Sequence, residues 1–162
     1  AATAPEADMP CSYGVTVTYT DDEGTVTSLT ASGSVTVLPP VSSGATFDSI
    51  TPLLYLTDEG SNTFRVMSGA AVDEAKLNFT VLAANGNPYP STAAYKYYYQ
   101  TEGGSYTLIT TTNDYIKALS LEDMGFGGIF TTAATVTIKC TVSAGGREVA
   151  FTTATITILP PS

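Results

Sequence analysis

The sequence predicts an all-β protein: an antiparallel β-sandwich with an extra N-terminal β-hairpin arm. Two observations predict the class. Many short stretches alternate apolar residues with Thr or Ser at a period of two, the pattern of strands buried on one face. Turns rich in Gly, Asn and Asp separate them at near-regular intervals, and no segment sustains a 3.6-residue period. A third observation, an internal repeat, predicts the arm.

The repeat pairs VTVTYTDDEGTVTSLTASGSVTVLPP (15–40) with VTIKCTVSAGGREVAFTTATITILPP (136–161) without a gap, at an offset of 121 residues. Eight of the 26 aligned positions are identical, including Val15/Val136, Gly24/Gly145 and the shared Leu-Pro-Pro. Val17/Ile138, Val35/Ile156 and Val37/Ile158 exchange one β-branched residue for another. The chain therefore reads as an arm and hairpin at 1–40, then one whole sandwich domain at 41–162. The arm has the design of a closing hairpin whose own domain body is absent.

In chain order, residues 1–10 read as an extended lead-in, because Pro5 and Pro10 block regular structure. Val15, Val17 and Tyr19 then alternate with threonines, Asp21–Gly24 turns the chain, and a return strand closes through Val35 and Val37 before Pro39-Pro40 stops it. Val41–Ala45 reads as a linker. Phe47–Leu56, interrupted by Pro52, reads as an edge or bent strand, and Asp58–Asn62 as a turn. Phe64–Met67 reads as a short strand, and Lys76–Ala83 as a strand with Leu77, Phe79 and Val81 on one face. After the Asn85–Pro88 turn, Tyr95–Gln100 and Tyr106–Thr111 form a hairpin. Tyr115–Leu121 is either a strand or a helical turn, and Glu122–Gly128 is a loop. Thr135–Val142 and Glu148–Ile158 close the sandwich. The expected inward row is Leu77, Phe79, Val81, Val136, Ile138, Ile156 and Ile158.

Composition narrows the function classes. Hydrophobic content of 43% supports a core, while only 13% charged residues leaves solubility to Thr, Ser, Asn and Gly. A net charge of −9 disfavours nucleic acid and anionic membrane surfaces, which select Lys and Arg. No apolar run approaches the ~20 residues of a spanning helix, so no membrane insertion is expected. The Ala start suits a small-residue cleavage site and suggests a mature exported protein, placed outside the cell, on its surface or in a virion.

From Tyr95 onward the chain resembles the immunoglobulin-like repeat domains of bacterial surface proteins and phage structural proteins. The residues that carry the likeness are the Tyr-rich YKYYYQ followed by a Gly turn, then TVTIKCTV, a second Gly turn and TATITILPP. Such domains carry a large aromatic on a central strand and an inward Cys on the penultimate one. The resemblance puts Tyr97 or Tyr99 in the first place and Cys140 in the second. The chain departs from it in having no Trp, and in lacking a partner Cys on KLNFTVLA.

Chemistry-bearing residues are few. Without His, neither a Ser-His-Asp nor a Cys-His arrangement is possible, and no catalytic residue is assigned. The acidic doublets Asp21-Asp22, Asp58-Glu59, Asp73-Glu74 and Glu122-Asp123 sit in turns, where solvated carboxylates are the ordinary use. No Asp-x-Asp-x-Asp-Gly calcium loop occurs, and no cofactor or metal is expected. Cys11 and Cys140 are either a disulfide tying arm to domain or two free thiols, Cys140 then serving as a small buried hydrophobe. Tyr95, Tyr97 and Tyr99 share the core face with hydroxyls reaching the rim, which leaves Tyr98 exposed to stack on a sugar or a neighbouring subunit. Asn78-Phe79-Thr80 is a glycosylation sequon with Asn78 outward.

Val15, Val17, Tyr19, Val35 and Val37 form the arm's apolar face. An isolated two-stranded hairpin is marginal in water, so that face needs a cover. It either folds back on its own domain or adds to a sheet edge of another chain. The expectation is a non-enzymatic structural subunit of a filament, surface layer or virion that polymerises with copies of itself by β-strand addition. The alternative is a carbohydrate-binding or adhesin module of a tandem-repeat surface protein.

Overall fold

The computed structural model describes residues 9–37, 44–127 and 131–162. Every regular element among them is a strand. The chain divides into two compact units, Ala1–Pro40 and Val41–Ser162.

The first unit is a two-stranded antiparallel hairpin, β1 (Met9–Thr20) and β2 (Val26–Val37). Asp21 makes its turn. The carboxylate Oδ1 accepts from the Glu23 and Thr25 amides at 3.0 and 2.8 Å, and Gly24 takes a φ of 84° that a Cβ would strain. β1 starts earlier than the sequence suggests. Pro10, expected to block structure, lies within the strand opposite Thr36. The other side of β1 is a free edge, where a missing N–H leaves no ladder bond unmade. Leu38–Ser43, read as the Leu-Pro-Pro stop and the start of the linker, lie outside the described residues.

The second unit holds β3 (Thr46–Leu54), β4 (Leu56–Gly60), β5 (Thr63–Val66), β6 (Lys76–Leu82), β7 (Ala94–Thr101), β8 (Thr107–Thr112), β9 (Ile116–Ser120), β10 (Ala134–Ala144) and β11 (Arg147–Leu159). They form a six-stranded sheet in the order β4-β5-β11-β10-β7-β8 and a three-stranded sheet β3-β6-β9. Both sheets turn their apolar rows into one core. Leu77, Phe79 and Val81 from β6 meet Val136, Ile138, Ile156 and Ile158 from β10 and β11, each at most 1% exposed. The Phe79 and Tyr97 rings join the sheets edge-on at 6.0 Å. The expected inward row is thus the observed one, and Tyr115–Leu121 resolves as a strand.

Three features depart from the sequence reading. Asp58 and Glu59, expected in a turn, belong to β4. Its exposed, polar edge position gives no alternation to read, and the turn is instead Ser61-Asn62, both at positive φ. The sheet is not wholly antiparallel, because β5 runs parallel to β11 and covers its edge. The loop after β9 is part of the core: Leu121 and Met124 are fully buried, and the Tyr99 ring lies so close to Gly125 that a Cβ there would sit 2.7 Å from it. Ser120 and Asp123 brace that loop reciprocally. The Ser120 amide donates to Asp123 Oδ2 at 2.9 Å, and the Asp123 amide to Ser120 Oγ at 3.0 Å.

Candidate functional site

The pairing register of β1 with β2 sorts the hairpin's side chains onto two faces. One carries Met9, Cys11, Tyr13, Val15, Val17 and Tyr19 opposite Val37, Val35, Gly33, Ala31, Leu29 and Thr27. The other carries almost only Ser, Thr and Gly, cross-linked by hydroxyl contacts such as Thr18 Oγ1 to Ser28 Oγ at 3.1 Å. Tyr13 lies across Gly33, where a Cβ would stand 2.6 Å from the phenol oxygen, so Gly33 makes room for the ring. The apolar face is exposed: Val15, Val17, Tyr19, Val35 and Val37 keep 54, 56, 54, 52 and 39% of their surface in solvent. Tyr13, Leu29 and Met9 extend the same row and are equally open. Together these eight residues form one apolar row, each 39–64% exposed, the kind of patch that marks an interaction site rather than a scattered surface residue.

β10 and β11 present the same alternation in the opposite state. Val136, Ile138, Cys140, Val142 and Ala144 on β10, with Ala150, Ile156 and Ile158 on β11, are all buried. The gapless repeat does not survive as pairing register. Val136 faces Ile156, whereas Val15 faces Ala31 and Val35 faces Cys11. Held on the common Leu-Pro-Pro, β1 has slid four residues relative to β10. The ladder counterpart of Cys140 is therefore Val15, not Tyr19. An even slide keeps every side chain on its own face, so the apolar row stays intact.

Cys11 and Cys140 are both free thiols. Cys140 has no exposed surface, and Cys11 is half-buried. Burial pushes the Cys140 thiol up to about 12, with the Tyr97 hydroxyl tempering the rise. Tyr95 and Tyr97 are buried as expected, but their hydroxyls do not reach the rim. Both are closed off from solvent, the Tyr97 hydroxyl against the Cys140 thiol and the Tyr95 hydroxyl against the Tyr89 backbone, and burial raises both, Tyr95 to about 12. Tyr99 is half-buried against the core. Tyr98 faces outward but is half-buried rather than open, since a bulge at Tyr97/Tyr98 seats it opposite Leu108. Asn78 also faces outward, half-buried in the central strand β6 between Thr51 and Ala118.

The acidic doublets hold backbone amides or a neighbouring side chain. Besides Asp21 and Asp123, Asp58 Oδ1 accepts from the Gly60 amide at 2.8 Å, and Glu59 pairs with Arg65 at 3.0 Å. Among the described residues no three His, Cys, Asp or Glu side chains gather in a way that could hold a metal ion.

One cluster was not anticipated from sequence. On the outer face of the six-stranded sheet, Lys139 Nζ sits 5.2 Å from the Tyr106 ring and 5.3 Å from the Phe151 ring, with Leu108 exposed nearby on β8. Phe151 interrupts a row of threonines, and that break in the polar alternation is the signal that marks it.

No family model, curated protein or solved structure matches the chain.

Proposed function

We propose that the chain is a non-enzymatic structural unit of an extracellular filament, surface layer or virion, built on an immunoglobulin-like sandwich. Its units link through the arm by β-strand addition. One observation carries this reading: the arm's apolar row is open to solvent, while the same row in β10–β11 is core. As a two-stranded sheet the arm also leaves one edge of β1 and one of β2 unpaired, so it offers main-chain hydrogen bonds as well as an apolar face. A head-to-tail link of this kind propagates a filament unless its rotation closes a ring.

Sedimentation velocity of the full chain against a chain lacking residues 1–38 tests this. The full chain is expected to associate as concentration rises, and the truncated one to remain a monomer with an unchanged cooperative melt. Identical behaviour of the two would overturn the reading.

A second reading, a carbohydrate-binding or adhesin module, is favoured by the aromatic cluster around Lys139. Sugars stack on exposed rings, and Tyr106 and Phe151 are 39 and 38% exposed. Glycan binding that is lost in Tyr106→Ala and kept after removal of residues 1–38 would select it.

A further inference from the structure

The arm resembles one other element of the molecule, and that element shows what such a hairpin packs against. On β10–β11 the inward row lies on the core side of β3-β6-β9, and β10 pairs along its outer edge with β7. In ladder register the two hairpins match position by position as far as Val142, after which a bulge in β10–β11 shifts the pairing and Tyr19 falls at Ala144. Cys11 corresponds to Val136, Tyr13 to Ile138, Val15 to Cys140 and Val17 to Val142. On the return strand, Val35 and Val37 correspond to Ile156 and Ile158. Sizes compensate across the pairs: Tyr13 faces Gly33 where Ile138 faces Ala154. A face that alternates in this way fits a sandwich body, and without one its apolar row stays open to solvent.

The complementary site in this chain is taken. Every inward residue of β10 from Val136 to Ala144 is at most 5% exposed, so a complete copy has no vacancy for a second hairpin of the same design. The body that the arm completes must lack a closing hairpin of its own.

Going beyond addition to a sheet edge of another copy, we infer that the occupant of the arm's apolar face is a β-sandwich body of the same kind as residues 44–127, carried ahead of the arm in the same polypeptide. Residues 9–37 are then the closing hairpin of that preceding unit. Neighbouring units are then joined by the short segment between β2 and β3, and without the preceding body the arm's core face is bare. Repeat architectures behave in this way, since each unit buries its hydrophobic face only with its complement in place.

A tandem extension tests the inference. Residues 41–133 are joined directly ahead of Met9, so that β1 follows a body in the ladder position of β10. In the extended chain, amide exchange across Val15–Tyr19 and Val35–Val37 is expected to slow at least ~100-fold relative to the 162-residue chain, because those amides move from a marginal hairpin into a core. The concentration-dependent association of the parent chain should vanish with it. Val15→Asp with Val17→Asp in the extended chain should return fast exchange to the arm and unfold the added body, while residues 44–162 still melt as before.

The inference is overturned if the added body stays protease-sensitive and the arm exchanges as fast as in the parent. It is equally overturned if the added body folds despite the two aspartates. An extended chain that still associates through a fast-exchanging arm would sink the inference while leaving the linking function standing. A parent chain whose association does not depend on the arm would sink the function, whatever the extension does.

Discussion

The hairpins β1–β2 and β10–β11 carry the same instruction and meet different surroundings. Both alternate β-branched and aromatic residues with threonine and serine, and both turn at a glycine of positive φ, Gly24 in one and Gly145 in the other. In β10–β11 the apolar row is dry: Val142 is 0% exposed. Its counterpart Val17 is 56% exposed. Alternation therefore states that a face must be buried without stating against what. The four-residue slide between the two ladders adds a second lesson. Face is conserved under an even slide and register is not, so the repeat predicts which residues share a face better than which residues pair.

The largest expected effect separates the two hairpins directly. Val142→Asp puts an unpaired charge into the core and should cost the second unit more than ~4 kcal/mol, enough to unfold it. Val17→Asp at the matching position should leave the denaturant midpoint of that unit unchanged. Equal losses would erase the distinction between the hairpins.

The choice between the two alignments is sharpened at Cys140. If its counterpart is Val15, Cys140→Val is a near-isosteric exchange and should cost under ~1.5 kcal/mol, whereas Cys140→Tyr overpacks the space beside Tyr97 and should cost ~1–3 kcal/mol or more. Urea melts of the two variants check this. The order reverses if the gapless alignment, which pairs Cys140 with Tyr19, describes the slot.

The buried core also responds to alkali. In the folded state Cys140 and Tyr95 hold their protons to about 12, against ordinary values of 9.0 and 10.0. Between those limits the unfolded chain releases protons that the folded one keeps. The stability of the second unit should therefore be unaffected below pH 9 and fall above it, by about 1.4 kcal/mol per pH unit for each group fully in that window. Denaturation series from pH 8 to 11 should show the decline, and a flat profile would contradict the burial of these groups.

The smallest effect is chemical. A thiol reagent at neutral pH should label Cys11 in the folded chain and reach Cys140 only after denaturation. Mass spectrometry of the labelled peptides reads it out.

The fold was legible where one face is buried and the other wet. β6, β7, β10 and β11 announce themselves by alternation, and Leu77, Phe79, Val81, Val136, Ile138, Ile156 and Ile158 follow as core. β4 was not legible, because an exposed edge strand of Thr57, Asp58 and Glu59 has no apolar period. The roles of Met124 and Phe126 were hidden because a glycine-rich loop gives no register from which to infer burial. The arm's five-residue row was readable, but its extension through Tyr13 and Met9 was obscured by Pro10 and Gly14, which punctuate a strand that has a free edge to tolerate them. That the hydroxyls of Tyr95 and Tyr97 stop short of the rim could not be foreseen, since strand period places a ring but not the reach of its oxygen.

Hydrogen exchange on the dilute, monomeric 162-residue chain tests most directly the claim that one design stands in two environments. The amides of β10 and β11 should exchange only through global unfolding of their unit. Those of β1 and β2 should exchange through local opening with a free energy near zero, hence at least ~1,000-fold faster. Equal protection of the two hairpins in the monomer would mean that the arm's apolar row is already covered, and would contradict the account.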